Sequence, residues 1–309
     1  MASVARQRQS DATPPRLREL LLFTGLLLLL IGIGYWLSAR TPNSAQPNYP
    51  IPRTLRYSFT VTNTTPRLLK QTEIWIDAPV KQTATQQTIQ VATSLPHTLI
   101  EDPIGNQILH LAIPVLPPNS SKILTVTADL RLSDHPNPAF QTPVERFTAP
   151  EPGIESNHPL IQTRAQTLQG PDPLTTSRRI YQWVADNMEY IGYVQEQRGA
   201  LHALQHRKGD CTEYADLFTA LARANGIPAR TLSGCVYEEN AVLKVRDYHN
   251  WAKFYHEGQW YVADPQKRTF MSNPSAYLAL RISTTGNPEP WGNAHQFAYV
   301  TRGIRVKMH

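Results

Sequence analysis

Gly209-Asp210-Cys211-Thr212-Glu213-Tyr214 is the stretch on which the reading of this chain turns. Asp210 is a good helix N-cap. Glu213, three positions later, completes the pattern in which each side chain takes up the other's free backbone N–H. Tyr214, Leu217, Phe218 and Leu221 then share one apolar face, and Gly226 and Pro228 end the helix. Cys211 is therefore expected in the first turn of a helix packed into a core. Unpaired N–H groups and the positive helix end favour a thiolate there. The same N–H groups can hold an oxyanion formed on a substrate carbonyl.

A thiol nucleophile needs a base that takes and returns its proton. Downstream, His249-Asn250-Trp251-Ala252-Lys253-Phe254-Tyr255 reads as a strand, Glu257-Gly258 as a two-residue turn, and Gln259-Trp260-Tyr261-Val262-Ala263-Asp264 as the returning strand. If His256 faces Gln259, then Trp251 faces Asp264, and His249 lies on the face that they share. His249 and Asp264 are then diagonal neighbours, roughly 7–8 Å apart at the backbone and within side-chain reach. A slip of one residue would put them on opposite faces. The candidate catalytic residues are thus Cys211 as nucleophile, His249 as base and acid, and Asp264 as the carboxylate that orients the imidazole.

The combination resembles the transglutaminase-like superfamily, which shares papain-like thiol chemistry. The resemblance is carried by Gly209–Cys211, Ala215–Leu221, Gly226-Ile227-Pro228-Ala229-Arg230, Gly234, His249-Asn250-Trp251, Trp260 and Asp264-Pro265, and spans roughly residues 158–268. Tyr181–Val184 and Tyr190 look like the helix that precedes the nucleophile in that family. The resemblance implies an α+β papain-like core, acyl chemistry at amide bonds and the same three roles for Cys211, His249 and Asp264. It leaves the substrate open among cross-linking transferases, peptidases and other amidases. Tyr190 is a candidate second oxyanion donor.

Other residues have plainer readings. Cys235, in the strand pattern Thr231–Val236, is expected to be buried, inert and unbridged to Cys211. Asp247 and Tyr248 are expected in a solvated loop. His202 and His206 are four apart, but His-Ala-Leu-Gln-His lacks a metalloprotease glutamate. Two cysteines are too few for a disulfide scaffold or a structural zinc site. The reading calls for no metal and no cofactor.

Upstream, Leu55, Tyr57, Phe59 and Val61 alternate with polar residues, as do Leu124, Val126, Ala128, Leu130 and Leu132. Lys70–Ala78 and Gln107–Ile113 are further strand candidates, with a turn at Asp102–Asn106. Short alternating strands with turns between them predict an immunoglobulin-like β-sandwich over 54–132. Asn63-Thr64-Thr65 and Asn119-Ser120-Ser121 match the glycosylation triplet. Helical periodicity follows at Leu160, Ile161, Ala165 and Leu168, then at Ile180, Trp183, Val184 and Met188 behind a cap at Ser177.

Leu20–Ala39 is a 20-residue run without a charge. As a helix it would be about 30 Å long, the thickness of a bilayer core. Arginines cluster ahead of it, which keeps the N-terminus in the cytoplasm and places the rest outside. Leu37-Ser38-Ala39 is a poor cleavage site, so an uncleaved anchor is expected. Five arginines against Asp11 and Glu19 give residues 1–40 a charge of +3 out of the total of +6. The remaining +3 over 269 residues excludes a nucleic-acid partner. The division is then a cytoplasmic arm and transmembrane anchor (1–40), a proline-rich spacer (41–53), the β-sandwich (54–132), a second linker (133–157) and a catalytic domain (158–309). The expected partners are a protein or peptide substrate and the inner membrane, with the catalytic domain periplasmic or otherwise extracytoplasmic.

Overall fold

The structure, a computed structural model, describes residues 47–138, 144–283, 298–300 and 303–309. The expected anchor, Leu20–Ala39, lies outside the described residues. Among those described, no helix is long and apolar enough to cross a membrane.

The first half of the chain forms six strands: β1 (Ile51–Asn63), β2 (Leu69–Ala78), β3 (Gln86–Thr93), β4 (His97–Glu101), β5 (Gln107–Leu116) and β6 (Ser121–Leu132). They divide into two sheets, one carrying β1-β6-β3 and the other β2-β5-β4. The alternation seen in the sequence becomes a one-sided burial. Leu55, Tyr57, Phe59 and Val61 of β1, Ile74 and Ile76 of β2, Leu109, Leu111 and Ile113 of β5, and Leu124, Val126 and Leu130 of β6 share one core. Each fully buried Leu or Phe there stabilises the fold by roughly 1.5–3 kcal/mol. β3 and β4 were not readable beforehand, because these edge strands, Gln86-Gln87-Thr88 and His97-Thr98 among them, lack a run of large apolar residues. Asn63 is buried and donates to the carbonyls of Arg67, Leu116 and Pro117 at 2.8–3.0 Å, so it serves as a structural clamp and is closed to glycosylation. Between the halves, the expected linker holds a short 3₁₀ turn, Val144–Thr148, whose Phe147 is fully buried with Trp260 at ring edge.

Four helices follow: α1 (Pro159–Leu168), α2 (Pro173–Asn187), α3 (Gly199–His206) and α4 (Cys211–Ala224). α2 starts one turn earlier than expected. Asp172 caps it by accepting from Thr175 N at 2.7 Å, Pro173 holds its first position, and Ser177 is buried inside it. Short strands β7 (Glu189–Tyr190) and β8 (Lys208–Gly209) pair in parallel just ahead of α4. Beyond it come β9 (Ala229–Val236), β10 (Ala241–Val242), β11 (His249–His256), β12 (Gln259–Asp264), β13 (Thr269–Phe270), β14 (Tyr277–Ile282), β15 (Ala298–Val300) and β16 (Ile304–Met308). A five-stranded sheet of order β13-β12-β11-β9-β14 lies against α4.

The two halves are sewn together at β14. Gln86 exchanges two hydrogen bonds with the backbone of Ala279, and Asn106 does the same with Ile282, so two side-chain amides stand where a neighbouring strand would be. Arg281 pairs with Asp77 at 2.5 Å in the same buried seam. The late strands also return to the first two sheets. β10 and β16 pair with β1, and β15 pairs with β2.

Candidate active site

The start of α4 is built as the sequence indicated. Asp210 accepts from Thr212 N at 2.7 Å, and Glu213 accepts from Asp210 N at 2.9 Å. Position 209 must be glycine, because a Cβ there would lie 2.4 Å from the Cβ of Glu213. The second oxygen of Asp210 takes Val194 N at 3.0 Å, and Glu213 takes the Arg198 amide and pairs with its guanidinium at 3.0 Å. The cap thus also pins the 194–198 loop beside the thiol. Leu217, Phe218 and Leu221 are fully buried below it.

The hairpin has the expected register. His256 faces Gln259 and the pairing runs on to Ala252 with Ala263, so Trp251 falls opposite Asp264. Glu257 and Gly258 both have positive φ, 45° and 82°, as a primed two-residue turn requires. His249 and Asp264 come together, with His249 Nε2 at 2.6 Å from Asp264 Oδ2, both side chains being buried. Asp264 Oδ1 accepts from Lys267 N at 3.0 Å. With Nε2 held by the carboxylate, Nδ1 is the ring nitrogen that can exchange a proton with a thiol.

Cys211 reaches this hairpin through Asn250. The Asn250 side chain donates to Thr212 Oγ1, the neighbour of Cys211, at 2.6 Å, and the Asn250 backbone amide is among the groups that favour the thiolate. The structure therefore gathers all three sequence-predicted residues at one helix-to-hairpin junction. One expectation is reversed. Burial pushes the half-buried Cys211 thiol up to about 12, the charges of Asp210 and Asp264 add to this, and the amides of Asn250 and Cys211 only partly oppose it. The helix-end donors are present, but desolvation outweighs them, so the sulfur must lose its proton to a base as it attacks.

Tyr190 pairs with Gly209, and desolvation first, then the charges of Cys211 and Asp210, push its half-exposed phenol up. Tyr248 lies in the loop, as expected, but is half-buried rather than fully solvated. Desolvation and then the charge of Cys211 raise its phenol, while Asp247 accepts from Tyr237 and Lys244 N. Trp251 is fully buried and stacks beside the imidazole at 6.2 Å. Cys235 is fully buried in the two-sheet core, and both cysteines are unbridged. His202 and His206 stack ring on ring at 4.0 Å. Sequence reasoning missed Tyr277, whose hydroxyl donates to Asp264 Oδ2 at 3.0 Å. Only strand pairing brings it there, and no local motif marks it.

Residues 162–265 match the model of the transglutaminase-like superfamily. This stretch is a transglutaminase-like domain. Comparison with curated proteins gave no match. Among solved structures, a cysteine-protease candidate from Cytophaga hutchinsonii is 18% identical, with a TM-score of 0.55 over 84% of this chain and 92% of that one. That likeness is one of fold and extends over both halves of the molecule. The periplasmic domain of TgpA from Pseudomonas aeruginosa is 14% identical, with a TM-score of 0.35 over 68% and 87% of the two chains. A protease candidate from Parabacteroides distasonis is 16% identical, with a TM-score of 0.30 over 71% and 44%. The match to the transglutaminase-like superfamily supports thiol-dependent chemistry at amides in general.

Proposed function

We propose that the protein is a membrane-anchored thiol enzyme that cleaves or transfers the acyl group of an amide, either a Gln side chain or a peptide bond, outside the cytoplasm. The observation that carries this reading is the junction at which His249 is held by Asp264 at 2.6 Å while the next residue, Asn250, donates its side-chain amide to Thr212 Oγ1, beside Cys211, at 2.6 Å. His249 Nδ1 takes the Cys211 proton as the sulfur attacks the carbonyl carbon. The backbone N–H of Cys211 at the helix start, with Tyr190 as second donor, faces the developing oxyanion. His249 then protonates the leaving nitrogen, and a thioester remains on Cys211. Water or an amine attacks the thioester, gives its proton to His249, and the sulfur leaves and is reprotonated. Asp264 fixes the imidazole orientation and stabilises its charged form.

Leu20–Ala39 is the proposed single-pass inner-membrane anchor, and the proline-rich spacer ahead of β1 holds an immunoglobulin-like unit and the catalytic domain off the bilayer. The test is turnover of Gln peptides with and without a primary amine by residues 41–309, wild type against Cys211→Ala. Ammonia release or amine incorporation lost in a folded Cys211→Ala protein supports the reading. Equal activity in both would overturn the Cys211 mechanism, and no activity together with no Cys211 labelling by thiol-reactive probes leaves a non-catalytic scaffold instead.

A further inference from the structure

Asp264 is nearly solvent-free, and its carboxylate is gripped from three sides. Lys267 N–H holds Oδ1 at 3.0 Å, while Oδ2 takes both His249 Nε2 at 2.6 Å and the Tyr277 hydroxyl at 3.0 Å. The torsion that turns a carboxylate about its own axis is broad and soft. A single amide on Oδ1 leaves that rotation open. A second donor on Oδ2 closes it and aims the oxygen at the imidazole. We propose that Tyr277 is a positioning residue of the active site, acting on His249 through Asp264.

Three further observations support this assignment. Tyr277 is itself buried, and its ring packs edge-on against Trp251 at 5.2 Å, the same indole that stacks beside His249. Its phenol is pushed up by desolvation and by the charge of Asp264, so it stays a protonated donor across the neutral range. The strand it opens, β14, lies against β9 at Gly234, the residue paired with His249. A Cβ at 234 would sit 2.0 Å from the Leu278 carbonyl oxygen. Glycine at 234 is thus what lets the Tyr277 strand approach the catalytic hairpin. The arrangement explains a glycine and a tyrosine that the triad alone leaves unaccounted for.

The inference rests on the proposed thiol mechanism, so its test needs a readout that does not depend on finding the substrate. In the full chain, iodoacetamide alkylation of Cys211 is measured for wild type, Tyr277→Phe, Asp264→Asn and the double variant, with thermal melts as the check on folding. Tyr277→Phe should slow alkylation about tenfold or more, the scale of one hydrogen bond to a charged group. It should have little further effect once Asp264 is Asn, because a residue acting through Asp264 loses its lever there. With a turned-over Gln peptide, kcat should fall while KM stays within about twofold. In wild-type protein with labelled histidine, the His249 Nε2–H proton should resonate far downfield, and Tyr277→Phe should move it. Equal losses in both backgrounds, or an unmoved resonance and wild-type alkylation in the Phe variant, overturn the proposal. Absent turnover in wild type would instead strike at the proposed function, while the alkylation cycle and the resonance still decide the role of Tyr277.

Discussion

Replacing Asp216 by Asn should make the protein more stable at pH 8 and progressively less so as the pH falls. Asp216 lies on α4 five residues beyond Cys211, is almost solvent-free, and accepts from Gln197 Nε2 at 2.9 Å and Thr231 Oγ1 at 3.0 Å. No cation pairs with it among these contacts. Burial raises its carboxyl from an ordinary 3.8 to about 7, against the lowering effect of those two donors and with help from Glu213 and Glu155. The folded state therefore holds this proton longer than the unfolded chain does. Stability from this group is complete below about pH 4 and is lost as pH rises to about 7. The rise is worth about 4 kcal/mol once the group is fully ionised, at 1.36 kcal/mol per pH unit. Asn removes the ionisation and keeps an acceptor for Thr231, while its amide faces Gln197, which can turn its own oxygen inward at a cost of about 1 kcal/mol. The net gain at pH 8 is then about 3 kcal/mol, and the advantage should shrink by about 2.5 kcal/mol on going to pH 5. Urea unfolding of residues 47–309 at pH 5, 6.5 and 8, wild type against variant, measures it. A variant offset by the same amount at every pH would refute the reasoning, because it would mean that Asp216 is ionised in the folded protein throughout.

Asp264→Asn should lower kcat by about 10³- to 10⁴-fold with KM little changed, since the carboxylate acts on His249 rather than on substrate; wild-type turnover would reduce Asp264 to a turn residue. Iodoacetamide alkylation of Cys211 should climb steadily from pH 6 to pH 9, because its isolated thiol is pushed up to about 12; a plateau below pH 6 would reveal a preformed thiolate–imidazolium pair. Thiol titration of the non-reduced protein should count one slowly reacting group when folded and two in denaturant, with Cys235 fully buried; zero in denaturant would mean a bridge. A reporter that matures only in the cytoplasm, joined by a flexible linker after His309, should stay dark; a bright fusion would place the domains inside.

What the sequence disclosed depended on how local the determinants were. The cap at Asp210 and Glu213 and the pairing of His249 with Asp264 are set within 3 and 15 residues, so capping and two-residue periodicity suffice to read them. The strands of β1 and β6 were legible because one face is fully apolar, whereas β3 and β4 present mixed faces at sheet edges. Ser177 reads as a cap because Asp172-Pro173, the stronger signal, falls before the apolar periodicity begins. Tyr277 and the desolvation of Cys211 are products of packing between distant strands, and no spacing rule encodes either.

The return of β16 to β1 bears on how this chain comes to be folded at all. Thr60 and His309 are 249 positions apart, yet they meet, and the residues from Phe59 to Asn63, paired with β6 on one edge, find the partner for their other edge only in β16. A chain emerging from its N-terminal end exposes that edge of β1, with its unpaired N–H and C=O groups, until nearly everything else has arrived. The first domain to appear is thus among the last to be finished, and closing such a long loop makes its completion slow. The vulnerable interval lasts until β16 has been delivered to that edge.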